Sequence, residues 1–183
     1  MIPLFQVDAF TEKLFAGNPA GVCLLEEPSE LSDRWKQNFA AEMNLSETAY
    51  VGPGENPPSL RWFTPTTEVD LCGHATLAAA HVLWERDYVP VDEPIRFETA
   101  SGLLTCTREE DWISMEFPVD APEKTTAPEG LLSALGVTDE EVPYMGRTQF
   151  DYFLELADEQ RLGQLTPDYR RLEEIDTRGV VVT

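Results

Sequence analysis

The chain has 183 residues, 42% of them apolar, enough for a core that removes about 70% of the unfolded surface from water. Its 34 acids against 13 bases give a net charge of −21. Such a surface repels phosphate backbones and anionic headgroups, so neither a nucleic-acid nor a membrane partner is expected.

Lys13, Lys36 and Lys124 are the only lysines, and the acids are spread along the chain rather than gathered in a tail. That composition fits a protein adapted to a salt-rich cytoplasm, where ions screen self-repulsion. Cys23, Cys72 and Cys106 are odd in number, far apart and without a C-x-x-C pair. Neither a disulfide framework nor a zinc knuckle is suggested, and reduced thiols fit a cytoplasmic location. Met1–Asp8 has no basic leader, and no run of about 18 apolar residues occurs.

In chain order, Ile2–Asp8 reads as a strand. A loop ending in Gly17-Asn18-Pro19-Ala20 leads to a second strand, Gly21–Leu25. Ser32 is a plausible N-cap for a helix to Met43, with Trp35, Phe39 and Met43 four residues apart on one face. Strands follow at Glu47–Val51 and Leu60–Thr64. A second helix starts near Gly73-His74 and carries Leu77, Ala80, His81 and Trp84, with His81 expected in the core. Three strands come next, at Ile95–Thr99, Leu103–Thr107 and Ile113–Phe117. Asp120–Glu129 reads as a linker, followed by a helix at Leu131–Leu135, a strand near Phe150–Leu156 and a helical turn at Asp168–Glu174. Gly179–Thr183 reads as a buried-type strand that runs off the chain end. No internal repeat is visible. Many strands with two substantial helices indicate an α+β fold with a sheet covering a helix.

Two polar motifs interrupt this apolar framework. Asn44-Leu45-Ser46-Glu47-Thr48-Ala49-Tyr50 places a carboxylate where a helix gives way to a strand. The apolar residues after Glu47 favour its partial burial and its use as a base. Glu68-Val69-Asp70-Leu71-Cys72-Gly73-His74-Ala75-Thr76 places Gly-His at a helix start. Gly73 leaves room for a ligand to approach the free N–H groups of the first turn, a site suited to an anion or carboxylate. Cys72 beside those N–H groups could have a lowered pKa and act as an alternative proton carrier, but a small buried hydrophobe is the preferred reading. His74 and His81 stand about 10 Å apart along a helix, so no metal shared between them is expected. Asn18 and Ser101-Gly102 read as turn formers.

These motifs occur in order with Phe10-Thr11, Arg61-Trp62-Phe63-Thr64-Pro65 and Thr99-Ala100-Ser101-Gly102. Together they resemble the PhzF-like family of phenazine-biosynthesis isomerases, strongly to Phe117 and more loosely beyond it. The resemblance implies a diaminopimelate epimerase-like fold: two similar α+β halves, each a mixed sheet wrapped around a central helix, with the active site between them. It assigns residues 1–118 to the N-terminal epimerase-like core. Residues 119–183 become a linker, additional strands and helix, and the start of the crossover to a C-terminal domain outside this chain.

It further implies Glu47 as the acid/base and Asn18, Ser46, Gly73 and His74 as substrate-binding groups. The chemistry is proton transfer on a small carboxylate-bearing substrate, with no cofactor and no metal, in a homodimer. Cys-Gly-His-Ala-Thr also resembles the thiol motif of proline racemase-type enzymes, which leaves Cys72 as an alternative base. A non-catalytic half-domain that binds a ligand or partner is the third reading. Made alone, the 183-residue chain is expected to be inactive and to self-associate through its last strand.

Overall fold

The computed structural model describes residues 2–13, 15–26, 31–117 and 119–183. They divide into two compact units, Met1–Phe117 and Pro118–Thr183. No helix among the described residues is long and apolar enough to cross a membrane.

The first unit is one mixed sheet around one helix. Strand β1 (Leu4–Ala9) pairs antiparallel with β2 (Asn18–Leu24), and β2 pairs parallel with β3 (Glu47–Gly52). The parallel pairing requires a crossover, which helix α1 (Asp33–Met43) supplies. Its ends obey local chemistry: the Ser32 side chain accepts from the Trp35 N–H, and Asn44 closes the helix in the left-handed region. The innermost residues of α1 are Lys36 and Ala40; Trp35, Phe39 and Met43 are only half-buried. Lys36 keeps its ammonium 3.9 Å from Asp33 while its carbon stem lies inside.

Strand β4 (Ser59–Phe63) lies antiparallel to β3 and divides its other edge between two neighbours. The two-residue β5 (Glu68–Val69) pairs with Trp62 and Phe63, whereas β6 (Ile95–Thr99) meets β4 at Ser59. From β6 the chain continues as an antiparallel meander through β7 (Gly102–Glu109) and β8 (Trp112–Glu116).

Helix α2 (Gly73–Glu85) has no charged residue before Glu85, and a helix apolar on every side must be enclosed. It touches β1, β2, β3 and β8. Ala75, Ala78, Ala79 and Ala80 are fully buried, and their small side chains let the strands come close. Its own Leu83 joins Trp62, Phe97, Leu60, Ile95 and Leu104 in one core cluster. His81 and Leu77 share the less enclosed stripe, so His81 is half-buried rather than a core residue.

The second unit holds β9 (Glu123–Lys124), helix α3 (Leu131–Leu135), β10 (Tyr144–Arg147), β11 (Asp151–Glu155), short helices α4 (Glu159–Leu162) and α5 (Tyr169–Leu172), and β12 (Gly179–Val182). They form a sheet of order β12-β11-β10-β9 over Leu131, Leu135, Val137, Met145 and Leu154. β10 and β11 are antiparallel; β11 and β12 are parallel, joined across α4 and α5. This antiparallel-then-parallel order repeats that of β1, β2, α1 and β3, a repeat of topology that leaves no trace in the sequence. The last strand differs from expectation on two counts. It has a partner, β11, along one edge, and it is half-exposed, with Val181 46% accessible.

Candidate active site

The parallel register Ala20↔Glu47 makes β2 and β3 begin at the same end of the sheet. Asn18 opens β2 there, opposite Ala9, and so is a strand residue rather than the turn former its composition suggests. Pro19 is accommodated because β3 joins only at Ala20, where β2 first gains its second neighbour. Ser46 and Glu47 sit at the start of β3, and the N-terminus of α2 opens at the same place.

The expected residues meet. Ser46 Oγ lies 3.1 Å from Asn18 Oδ1 and 3.2 Å from His74 Nε2. His74 Nε2 is 3.3 Å from Glu47 Oε2, and His74 Nδ1 is 3.4 Å from Cys72 Sγ. His74 is 8% exposed and the Glu47 side chain 19%, so Glu47 stands at the boundary between core and solvent.

Burial depresses the His74 pKa below the usual 6.5, against the pull of the Glu47 charge. At neutral pH the ring is therefore neutral, and the 3.3 Å Glu47–His74 approach is a polar contact rather than an ion pair. Burial also governs Cys72, whose pKa is pushed up to about 12, the nearby Glu47 acting in the same direction. The Ala75 N–H lies near enough to favour the thiolate, yet makes no capping bond and is outweighed. Burial overrides the lowering that a helix start alone would give: Cys72 is a neutral S–H at physiological pH.

Gly73 is the first residue of α2. A Cβ placed there would meet only the Phe117 ring, at 3.8 Å, an ordinary contact. Packing within the described residues thus gives no reason for glycine, and the open approach to the first-turn N–H groups is preserved.

Glu47, Cys72 and His74 each offer a donor atom within 4.8 Å of the other two, an S, N and O set that suits zinc. The ring, however, turns Nδ1 to Cys72 and Nε2 to Glu47, and one ion takes one ring nitrogen. The arrangement is that of a hydrogen-bonded chain.

Residues 7–183 match the PhzC-PhzF family, described as phenazine biosynthesis-like protein. The chain belongs to that family. An isomerase of Halalkalibacterium halodurans, itself named as uncharacterised, is 50% identical over 182 residues, covering 99% of this chain and 67% of the relative. A crystal structure of a PhzF-family phenazine biosynthesis protein from Enterococcus faecalis superposes with a TM-score of 0.86 at 39% identity, covering 99% of this chain and 67% of that one. A proline racemase structure from Agrobacterium radiobacter has a TM-score of 0.53 at 12% identity, covering 89% of this chain and 53% of that one; it shares the fold alone. This PhzC-PhzF chain thus spans about two thirds of the length of the relatives named first.

Two hydrogen bonds beside the candidate site are not read from the motifs that contain their residues. Ser101, read as part of a hairpin turn, donates from Oγ to the Asp70 carbonyl at 2.7 Å and pins the β6–β7 tip to the segment before α2. Thr76 Oγ1 donates to the Cys72 carbonyl at 2.6 Å, fixing the turn that holds the thiol against His74. An i, i+4 spacing from Cys72 was the available signal for Thr76; Ser101, 31 residues from Asp70, left none.

Proposed function

We propose that this chain carries one face of an isomerase active site in which Glu47 removes a proton from carbon on a small carboxylate-bearing substrate. The proton returns at another position of the same molecule. The single observation that carries this reading is the Glu47 carboxylate, partly buried at the head of β3 with Oε2 3.3 Å from Nε2 of a neutral His74. Such a group is fixed in orientation, reachable from solvent on one side and suited to general acid–base work.

The open turn at Gly73 supplies N–H donors and the positive end of a thirteen-residue helix for the substrate carboxylate or for charge that develops as the proton leaves. Ser46 and Asn18, linked to each other and to His74, form the adjoining polar wall. The name of the Halalkalibacterium halodurans relative supports an isomerase. No step requires a cofactor.

A thiol base at Cys72 is the reading that the buried, neutral S–H disfavours: burial pushes its pKa up to about 12, far from the range in which a thiolate forms at pH 7. Paired variants of the full-length protein test the choice. Glu47→Gln preserves shape but removes the base, and should lower turnover by about 10²–10⁴-fold. Cys72→Ser should cost far less. The opposite ranking transfers the role to the thiol, and equal, near-unchanged turnover removes both.

A further inference from the structure

We propose that Cys72 is a positioning residue whose thiol fixes the tautomer of His74, so that Nε2–H is aimed at the Glu47 carboxylate. The inference rests on Glu47 as the proton-transfer group but concerns a different atom and a different observable.

The hydrogen accounting around the ring leads to one arrangement. An ionised Glu47 has only acceptors, and its Oε2 lies 3.3 Å from Nε2. Ser46 has one hydroxyl hydrogen, which Asn18 Oδ1 at 3.1 Å and the Pro19 carbonyl at 3.4 Å both accept; its oxygen, 3.2 Å from Nε2, is left as an acceptor. Both neighbours of Nε2 therefore ask it to donate. On the other side Sγ stands 3.4 Å from Nδ1, and a neutral thiol there, although Glu47 is a second acceptor close by, donates S–H to the ring's lone pair. The opposite tautomer would set an Nε2 lone pair against the carboxylate and leave the S–H facing an N–H. Among the described residues, the titratable groups facing the ring are Glu47, from β3, and Cys72, from the turn ahead of α2.

The thiol is suited to this duty because it does not ionise. Burial that rules it out as a base keeps it a donor over the whole working pH range. The bond from Thr76 Oγ1 to the Cys72 carbonyl holds the turn in place. Removing the S–H withdraws stabilisation from the neutral ring alone, so Nδ1 should take up a proton more readily and the His74 midpoint should rise.

Two-bond ¹H–¹⁵N spectra of the imidazoles read this directly. The chain has two histidines, and His81→Gln separates their signals. In the wild-type chain at pH 7.5, His74 should carry its proton on Nε2 and leave Nδ1 bare. Cys72→Ala should raise the His74 midpoint by about half a pH unit, the scale of one weak hydrogen bond. Cys72→Ser, which keeps a donor, should stay at the wild-type value. A proton on Nδ1 in the wild type, an unmoved midpoint in Cys72→Ala, or an equal shift in Cys72→Ser would each overturn the proposal. Should Cys72→Ala fail to fold, the wild-type tautomer and Cys72→Ser still decide. Full turnover in Glu47→Gln would refute the functional reading and leave these spectra standing.

Discussion

Gly73→Ala separates a glycine kept for a ligand from one kept for packing. The backbone at Gly73 is not in the left-handed region, and the added methyl would meet only Phe117 Cζ at 3.8 Å. Alanine is favoured over glycine in a helix by about 0.5–1 kcal/mol, largely because the unfolded chain loses freedom. At 2–4 °C per kcal/mol for a chain of this size, the thermal midpoint should rise by about 1–4 °C. The same methyl projects into the approach to the first-turn N–H groups, so turnover of the full-length enzyme should drop by roughly tenfold to a hundredfold. Gly17→Ala is the contrasting control. Its φ is +89°, and a Cβ would clash with the Ala9 carbonyl oxygen and stand 2.8 Å from Thr11 Cγ2. Strain of that kind costs about 1–3 kcal/mol, so its midpoint should fall. Differential scanning fluorimetry and a turnover assay read both variants. A destabilised Gly73→Ala, or a stabilised one with unchanged turnover, refutes the reasoning.

Acid should destabilise the chain from the His74 range downward. His74 has a folded pKa below its unfolded 6.5, so the unfolded chain binds the proton first. Its contribution is complete above pH 6.5 and lost as pH falls toward the lowered folded value; Asp33, held low by its bond to Arg61, deepens the loss in the carboxylate range. A midpoint flat between pH 7.5 and 5.5 would contradict this. Salt should stabilise: at −21 the compact state repels itself, and the Debye length shrinks from about 30 Å at 0.01 M to about 3 Å at 1 M. A thermal midpoint that does not rise between dilute buffer and molar potassium chloride counts against that charge effect. We also expect the 183-residue chain to self-associate, because β12 ends the β12-β11-β10-β9 order with one edge unpaired among the described residues and Val181 half-exposed on it. Light scattering that finds a monodisperse monomer across a hundredfold concentration range would refute it.

What the sequence reveals here depends on how local each cause is. Helix α1 is legible because Ser32 and the residues after it carry their own cap and periodicity, and α2 because no charge interrupts it before Glu85. Glu47, Ser46, Asn18, Gly73 and His74 stand out by motif, and the parallel pairing of β2 with β3 brings them together. Two-residue strands such as β5 and β9 hold too few positions for any alternation to show. The pKa of Cys72 is ambiguous from sequence because two opposed effects act on it. The helix start is visible in Cys72-Gly73-His74, whereas the enclosing strands that outweigh it come from distant segments. The half-exposure of β12 is hidden for the same reason: Val180-Val181-Val182 reads as buried, and only the sheet order places it at an edge.

The central claim is that Glu47 transfers the proton, and solvent-deuterium incorporation into substrate tests it most directly. With the full-length enzyme in D₂O and candidate carboxylates of the type turned over, wild-type protein should place deuterium on carbon. Glu47→Gln should incorporate it about 10²–10⁴-fold more slowly while its fold, read by thermal midpoint, is retained. Incorporation at the wild-type rate in a folded Glu47→Gln variant would contradict the account.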